Sequence, residues 1–262
     1  MITVDQDLPT LISQKNHLAI LRHIRTHKLR KPELVLHHGQ ALLFTPKSLF
    51  SPTPNLSPAE RLSCLEQLLL SAIDVQNHPL AEKCLSLLRS SPHIDPATST
   101  RYRRLLALCL ESAGDTASAE KIYDELSNDN AANLFAMKRK YCLLRGCVGK
   151  ESAARDALND YLDANRSDVA AWKEMSELCL EVSDYKGAAY CLEEVVLSDP
   201  LNAELHCLLG EVYVSCGTSL NNLKLGRKHM AQSLELKSAQ DGNMRGLFGL
   251  VSAAGSYLEE VG

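Results

Sequence analysis

Residues Val169–Pro200 read VAAWKEMSELCLEVSDYKGAAYCLEEVVLSDP. Two apolar-periodic segments flank the turn Val182-Ser183-Asp184-Tyr185, and Pro200 stops the second of them. Ser176 on the first segment and Ala188 on the second are small, while Trp172 and Leu192 are large. This spacing predicts a hairpin of two helices that cross closely at the small residues, with the large ones wedged beside the crossing. The same stretch places Cys191 beside Glu193 and Glu194, a combination that suggests a thiol site. Carboxylates repel the thiolate and raise its pKa, and no His stands nearby in sequence, so the better reading is a half-buried Cys next to a solvated Glu face.

Working outward, the pattern repeats with a period of about 34 residues. Ala119, Ala154, Ala188 and Gly226 each fall early in a second helix, with Ala81 in a looser copy. The first helices offer Ala107, Ser176, Gly210 and Gly249 at the crossing, and Tyr141 breaks the rule. Tyr123, Leu158, Leu192 and Met230 follow four residues after the small position. Small-to-small crossings, large wedges and a terminal proline match the tetratricopeptide repeat (TPR). The predicted fold class is all-α, a right-handed α-solenoid of TPR helix hairpins. The approximate repeats are 62–99, 100–133, 134–168, 169–202, 203–242 and a partial 243–262. An insertion, Ser219 to Asn222, is expected to lengthen a turn.

Residues 1–57 read as an N-terminal helical cap with a proline-rich connector. One helix is expected from Pro9 to about His27, striped by Leu11, Leu18, Leu21 and Ile24, and another from Pro32 to Thr45-Pro46. Ser57-Pro58-Ala59-Glu60 has the form of a capping box that opens the array over 58–262. His17, His23 and His27 with Arg22, Arg25, Lys28, Arg30 and Lys31 make a basic face. It is read as a solvated side, with anionic headgroups or an acidic partner as the alternative.

Composition excludes several classes. Hydrophobic residues make up 45% of the chain but aromatics only 5%, so Leu and Ala carry the core and helices are favoured. A formal charge of -4 gives no global attraction to nucleic acid. The acidic start does not read as a secretory signal, and no apolar run nears the roughly 20 residues of a membrane span. The cysteines, nine in number and without CxxC pairs, fit free thiols in a reducing compartment. Gly146 to Ser152, GCVGKES, lacks the first Gly of a phosphate loop and has Glu151 where Ser or Thr is required, so it reads as a turn. Cys142 and Cys147 lack zinc spacing, and His37-His38 point about 100° apart on a helix. The sequence implies no catalytic residue, cofactor, metal or small-molecule substrate.

The repeat register assigns a concave groove to the first helices. Its lining is expected to be Arg101, Arg104 and Leu108, then Lys138, Cys142 and Arg145, then Lys173 and Glu177, then Glu204, Cys207 and Glu211. Such a groove would run from basic to acidic and orient a bound peptide. The repeat-packing set is Ala119, Ala154, Trp172, Ala188, Leu192, Pro200, Gly210 and Gly226. A second reading is a co-chaperone-type receptor for peptide C-termini, with Arg104, Lys138 and Lys173 as part of a carboxylate clamp that lacks the usual asparagines.

Three further stretches carry a more specific likeness: MKRKYCLLRGCVGKESAARDALNDYLDANRSDVAAW, NLKLGRKHMAQSLELKS and NMRGLFGL. With the opening repeat, they make Tyr102 to Leu250 resemble subunit 2 of the endoplasmic reticulum (ER) membrane protein complex. The resemblance implies a peripheral, non-catalytic scaffold on the cytoplasmic face of the ER, in an insertase for tail-anchored and multipass membrane proteins. Its implied partners are the membrane subunits three and five and the peripheral subunit eight or nine.

Overall fold

The computed structural model describes residues 8–44, 56–217 and 219–261. Every regular element among them is a helix: α1 (Leu8–Ser13), α2 (His17–Thr26), α3 (Pro32–Phe44), α4 (Pro58–Asp74), α5 (His78–Arg89), α6 (Thr100–Ser112), α7 (Thr116–Asp129), α8 (Leu134–Arg145), α9 (Glu151–Ala164), α10 (Val169–Glu181), α11 (Tyr185–Ser198), α12 (Ala203–Ser215), α13 (Leu220–Leu236) and α14 (Met244–Val261). The all-α array of TPR hairpins is therefore present. Most of the proline-rich connector and the end of the second predicted helix lie outside the described residues.

One local chemistry makes most of the hairpin turns. Three residues join α4 to α5, α6 to α7 and α10 to α11. In each turn a residue in the left-handed region, Gln76 (φ 57°), Gly114 (φ 85°) or Ser183 (φ 59°), precedes an Asn or Asp cap. The cap side chain then accepts the backbone N–H three residues on: Asn77 from Leu80 (3.2 Å), Asp115 from Ser118 (3.1 Å) and Asp184 from Gly187 (3.0 Å). The reversal satisfies an orphan helix donor within a few residues.

The same grammar corrects the N-terminal prediction. Lys15 (φ 52°) and Asn16, whose side chain accepts from Ala19 N–H at 3.2 Å, split the expected Pro9–His27 helix into α1 and α2. The apolar stripe continues across the break, so periodicity alone hid it. The Ser219–Asn222 insertion lengthens its turn by a single residue relative to the three-residue turns. Its last three residues extend α13 at its start, and only four residues separate α12 from α13. Ser57 Oγ accepts from Glu60 N–H (3.2 Å), but the Glu60 carboxylate turns away to Arg22 and Arg25, so only half of the capping box forms.

Two compact units divide the chain, Met1–Ala136 and Met137–Gly262. In the first, α2 and α3 enclose Ile20, Leu21, Ile24 and Val35, and α4 to α6 enclose Leu65, Leu68, Leu69, Cys84, Leu88 and Leu105. In the second, one core runs from Tyr141 and Leu158 through Met175, Ala188 and Leu192 to Leu209 and Tyr213. Ala119, Ala154 and Ala188 are fully buried, as is Leu192. Pro200 is exposed between α11 and α12.

The tightest crossing joins Gly210 and Gly226. A Cβ built on either would lie 3.1 Å from the other's carbonyl oxygen, and one on Gly226 would also meet Val214 Cγ2 at 2.7 Å. Where Tyr141 occupies the crossing position instead, the backbones of α8 and α9 stay further apart than in the other hairpins.

These contacts set an order of tolerance. Gly226→Leu drives a side chain into backbone and should cost about 1–3 kcal/mol or more, while Cys191→Ala removes one buried sulfur and should cost about 1 kcal/mol. Thermal melts of the two variants should show the much larger drop for Gly226→Leu.

Candidate partner-binding faces

In the first unit, the charged face of the first helices is built around one carboxylate. Glu66 of α4 accepts from Arg101 Nε (2.6 Å) and Arg104 Nη2 (3.0 Å), both on α6. Arg104 also lies over the Phe135 ring at 4.9 Å, which fixes its plane. Leu108 is half-buried on the same helix.

The basic N-terminal helix is tied into the unit in the same way. Arg22 and Arg25 pair with Glu60, Arg25 Nη1 donates to Gln67 Oε1 (3.1 Å), and Arg30 pairs with Asp74 (2.8 Å). Those arginines dock α2 and the segment after it on α4, a role neither sequence reading assigned. Arg22 binding and hydrogen bonding hold the Glu60 carboxyl below its ordinary pKa.

In the second unit, Lys138 of α8 reaches Asp168 Oδ2 (2.6 Å), which also accepts from Tyr161 Oη (2.7 Å). The other carboxylate oxygen of Asp168 caps α10 by accepting from Ala171 N–H (3.2 Å). Three donors thus converge on Asp168, and its pKa is lowered, chiefly by Lys138. Arg145 pairs with Glu181 (2.8 Å for Nη1) and Glu211 pairs with Arg245. Lys173, Glu177 and Glu204 are exposed and stand outside these pairs.

Of the charges expected along the groove, Arg101, Arg104, Lys138, Arg145 and Glu211 are already paired within their own units. The four cations are matched by Glu66, Asp168 and Glu181, and Glu211 by Arg245, whereas Lys173, Glu177 and Glu204 are not among these pairs. Neighbouring first helices supply the counter-charges, which lie some 30 or more residues away in sequence and leave no local signal. Cys207, expected in the lining, is buried, with its sulfur 3.9 Å from Met230 Sδ.

A cleft of about 400 Å³ opens among α9, α10 and α11. Trp172 and Tyr190 meet edge to face across 5.8 Å, and Trp172 Nε1 donates to the Arg166 carbonyl (2.9 Å). Arg155 and Arg166 line it, and Cys179 and Cys191 also belong to its wall. Trp, Tyr and Arg together form the side-chain set that most often anchors protein interfaces. The repeat register used Trp172 for packing alone. Burial, more than any neighbouring carboxylate, pushes the Cys191 thiol up to about 12. It is far from a reactive thiolate.

Two histidine pairs escaped the sequence reading because their members are distant in the chain. His17 and His38 meet Nδ1 to Nδ1 at 2.8 Å, and His206 and His229 at 3.0 Å. The Pro200 carbonyl, 3.0 Å from His206 Nε2, can only accept. His206 therefore carries a proton on Nε2, and of the two facing Nδ1 atoms one donates and the other accepts, so this geometry does not admit both rings doubly protonated. Tyr213 stacks on His229 at 5.8 Å.

Helix hairpins closed at small residues and joined by short Asx-capped turns define a tetratricopeptide-repeat protein. Residues 94–224 match the family described as the EMC2 TPR-like repeat domain. The chain belongs to that family. It is 38% identical over 185 residues to "ER membrane protein complex subunit 2-A" of Xenopus laevis, covering 71% of this chain and 59% of that protein. "ER membrane protein complex subunit 2" of Dictyostelium discoideum is 30% identical over 218 residues, covering 83% of this chain and 64% of that protein. The chain thus spans less than two thirds of the length of these relatives. Among solved structures, the C-terminal part of a TPR repeat-containing protein from Cytophaga hutchinsonii shares the fold, with a TM-score of 0.54 at 10% identity over 96% of this chain and 93% of that one.

The histidine pairs predict a pH dependence. Burial first, then like-charged neighbours, holds His17, His38 and His229 below the ordinary value of 6.5, so the fold binds their neutral forms. The unfolded chain then takes up protons that the folded chain refuses. This contribution is complete above the unfolded pKa and is lost as pH falls through 6.5 toward the lower folded values. The melting temperature should fall between about pH 7.5 and about pH 5.5, and His229→Gln should flatten part of that slope.

Proposed function

We propose that this chain is a non-catalytic scaffold subunit of an ER membrane protein complex, bound peripherally at the cytoplasmic face of the membrane. In this reading it organises partner subunits of an insertase for tail-anchored and multipass membrane proteins. The single observation that carries the proposal is the family match over residues 94–224. Among the described residues no helix is long and apolar enough to cross a membrane, which is compatible with peripheral attachment through partners.

The proposed partners are the membrane subunits three and five and the peripheral subunit eight or nine. The proposed contact residues are Arg101, Arg104 and Leu108 in the first unit, and Lys138, Arg145, Lys173, Glu177, Glu204 and Glu211 in the second. A partner that engages the paired members must compete with Glu66, Asp168, Glu181 or Arg245 for their charge. Lys173, Glu177 and Glu204 offer their charge without that competition, so they contribute most per residue. The co-chaperone alternative ranks lower because two cations of its clamp, Arg104 and Lys138, are already engaged by carboxylates.

Affinity purification of the tagged chain in mild detergent should recover membrane-embedded subunits of one complex; recovery of none would overturn the reading. Reversing Lys173 and Glu177 together should lower recovery of at least one subunit roughly tenfold, equivalent to about 1.4 kcal/mol, with the melting temperature unchanged. Full recovery by that variant would remove the second-unit face from the proposal.

A further inference from the structure

The turn between α2 and α3 reads Lys28-Leu29-Arg30-Lys31, three cations around one leucine. It borders a cleft of about 270 Å³ in the first unit, between α2, the start of α3 and the later part of α4. Arg25, Lys28, Arg30 and Lys31 line this cleft against one lining carboxylate, Asp74. The chain as a whole carries a formal charge of -4, so the cleft is a local reversal of sign. Arginine and lysine have different roles in it. Arg25 is held by Glu60 and Gln67, and Arg30 by Asp74, so the planar forks that read an anion in a fixed geometry are already engaged within the unit. Lys28 and Lys31 are exposed, and among the described residues their side chains are in no ion pair or hydrogen bond. Leu29 and Leu70, which also line the cleft, are each 38% exposed, as is Val75 just past the end of α4.

We propose that this tip of the first unit lies on an anionic phospholipid surface, with Lys28 and Lys31 among the headgroup phosphates and Leu29 entering the lipid boundary between them. Two features select a lipid surface over an acidic protein segment. The unpaired charge is all lysine, a point charge on a flexible stem, which attracts a fluid layer of anions without fixing the position of any one of them. A carboxylate held in a folded partner is matched best by a free guanidinium fork, and the forks lining this cleft are occupied by Glu60 and Asp74. The second feature is that the exposed leucine is flanked by cations on both sides in sequence, so charge and apolar side chain reach the same boundary together. This contact is direct, in addition to the attachment through partners proposed above, and does not depend on membership in a complex.

Flotation of the full chain with vesicles tests the contact. Phosphatidylcholine vesicles containing about 30% phosphatidylserine should carry the chain at low ionic strength, pure phosphatidylcholine should not, and about 0.5 M salt should release it. Each basic residue near an anionic surface contributes about fivefold in partitioning, so Lys28→Asn combined with Lys31→Gln should lower binding at least tenfold. Asn accepts the left-handed backbone at position 28 (φ 51°) and neither lysine is paired, so the melting temperature of that variant should not fall. Lys121→Gln, at an exposed lysine of α7 in the same unit, should leave binding unchanged. Leu29→Trp should show emission that moves to the blue on the anionic vesicles, beyond any change from Trp172, the single tryptophan of the parent chain. No binding to the anionic vesicles, equal binding to both vesicle types, or binding that survives loss of both lysines would overturn the proposal. So would an equal loss in Lys121→Gln, unshifted emission from Leu29→Trp, or tighter lysine-dependent binding to a soluble polyglutamate peptide than to the vesicles.

Discussion

Close approach of helix backbones at positions without bulky side chains is the constraint on which this structure depends. At Gly210 and Gly226 each backbone comes within reach of the other's carbonyl oxygen, and nothing larger than hydrogen fits between them. Buried Ala119 and Ala188 permit a milder version in the α6–α7 and α10–α11 hairpins. Wedges such as Tyr123, Leu192 and Met230 fill the space on either side of the crossings, so each hairpin buries a stripe that neither helix could bury alone. Tyr141 shows the rule by its exception, since a ring in the crossing position holds α8 and α9 apart.

The turns make this geometry repeatable. A left-handed residue followed by an Asn or Asp cap reverses the chain in three residues and satisfies a helix donor in the same step. Side chains other than glycine accept the strained conformation at Lys15, Gln76 and Ser183. The capping bond and the packed hairpin on either side offset that cost.

Charge follows the stacking of the hairpins. First helices that neighbour one another exchange Arg and Glu side chains, as in Glu66 with Arg101 and Arg104, or Glu211 with Arg245. Exposed pairs of this kind contribute little stability each, about 0–1 kcal/mol, but they fix which cations a partner finds already engaged. The surface offered for recognition is therefore smaller and more mixed in sign than the register of charged residues implies. The Trp172–Tyr190 cleft in the second unit sets two aromatic rings among Arg155, Arg166 and several carboxylates.

The sequence by itself determined the class of fold, the hairpin order and most of the wedges, because these depend on side-chain size at fixed helical spacing, a local property. The turn at Lys15-Asn16 was legible by the same grammar as Ser183-Asp184, but an unbroken apolar stripe masked it. Only the tertiary structure decided which charges are paired, that Trp172 lines a cleft, that the histidines meet in twos, and that the Ser219–Asn222 insertion extends a helix. Each of these depends on groups brought together from distant positions or on competition between turn and helix. Spacing along the chain records the face a residue occupies, whereas its partner is set by how the helices stack.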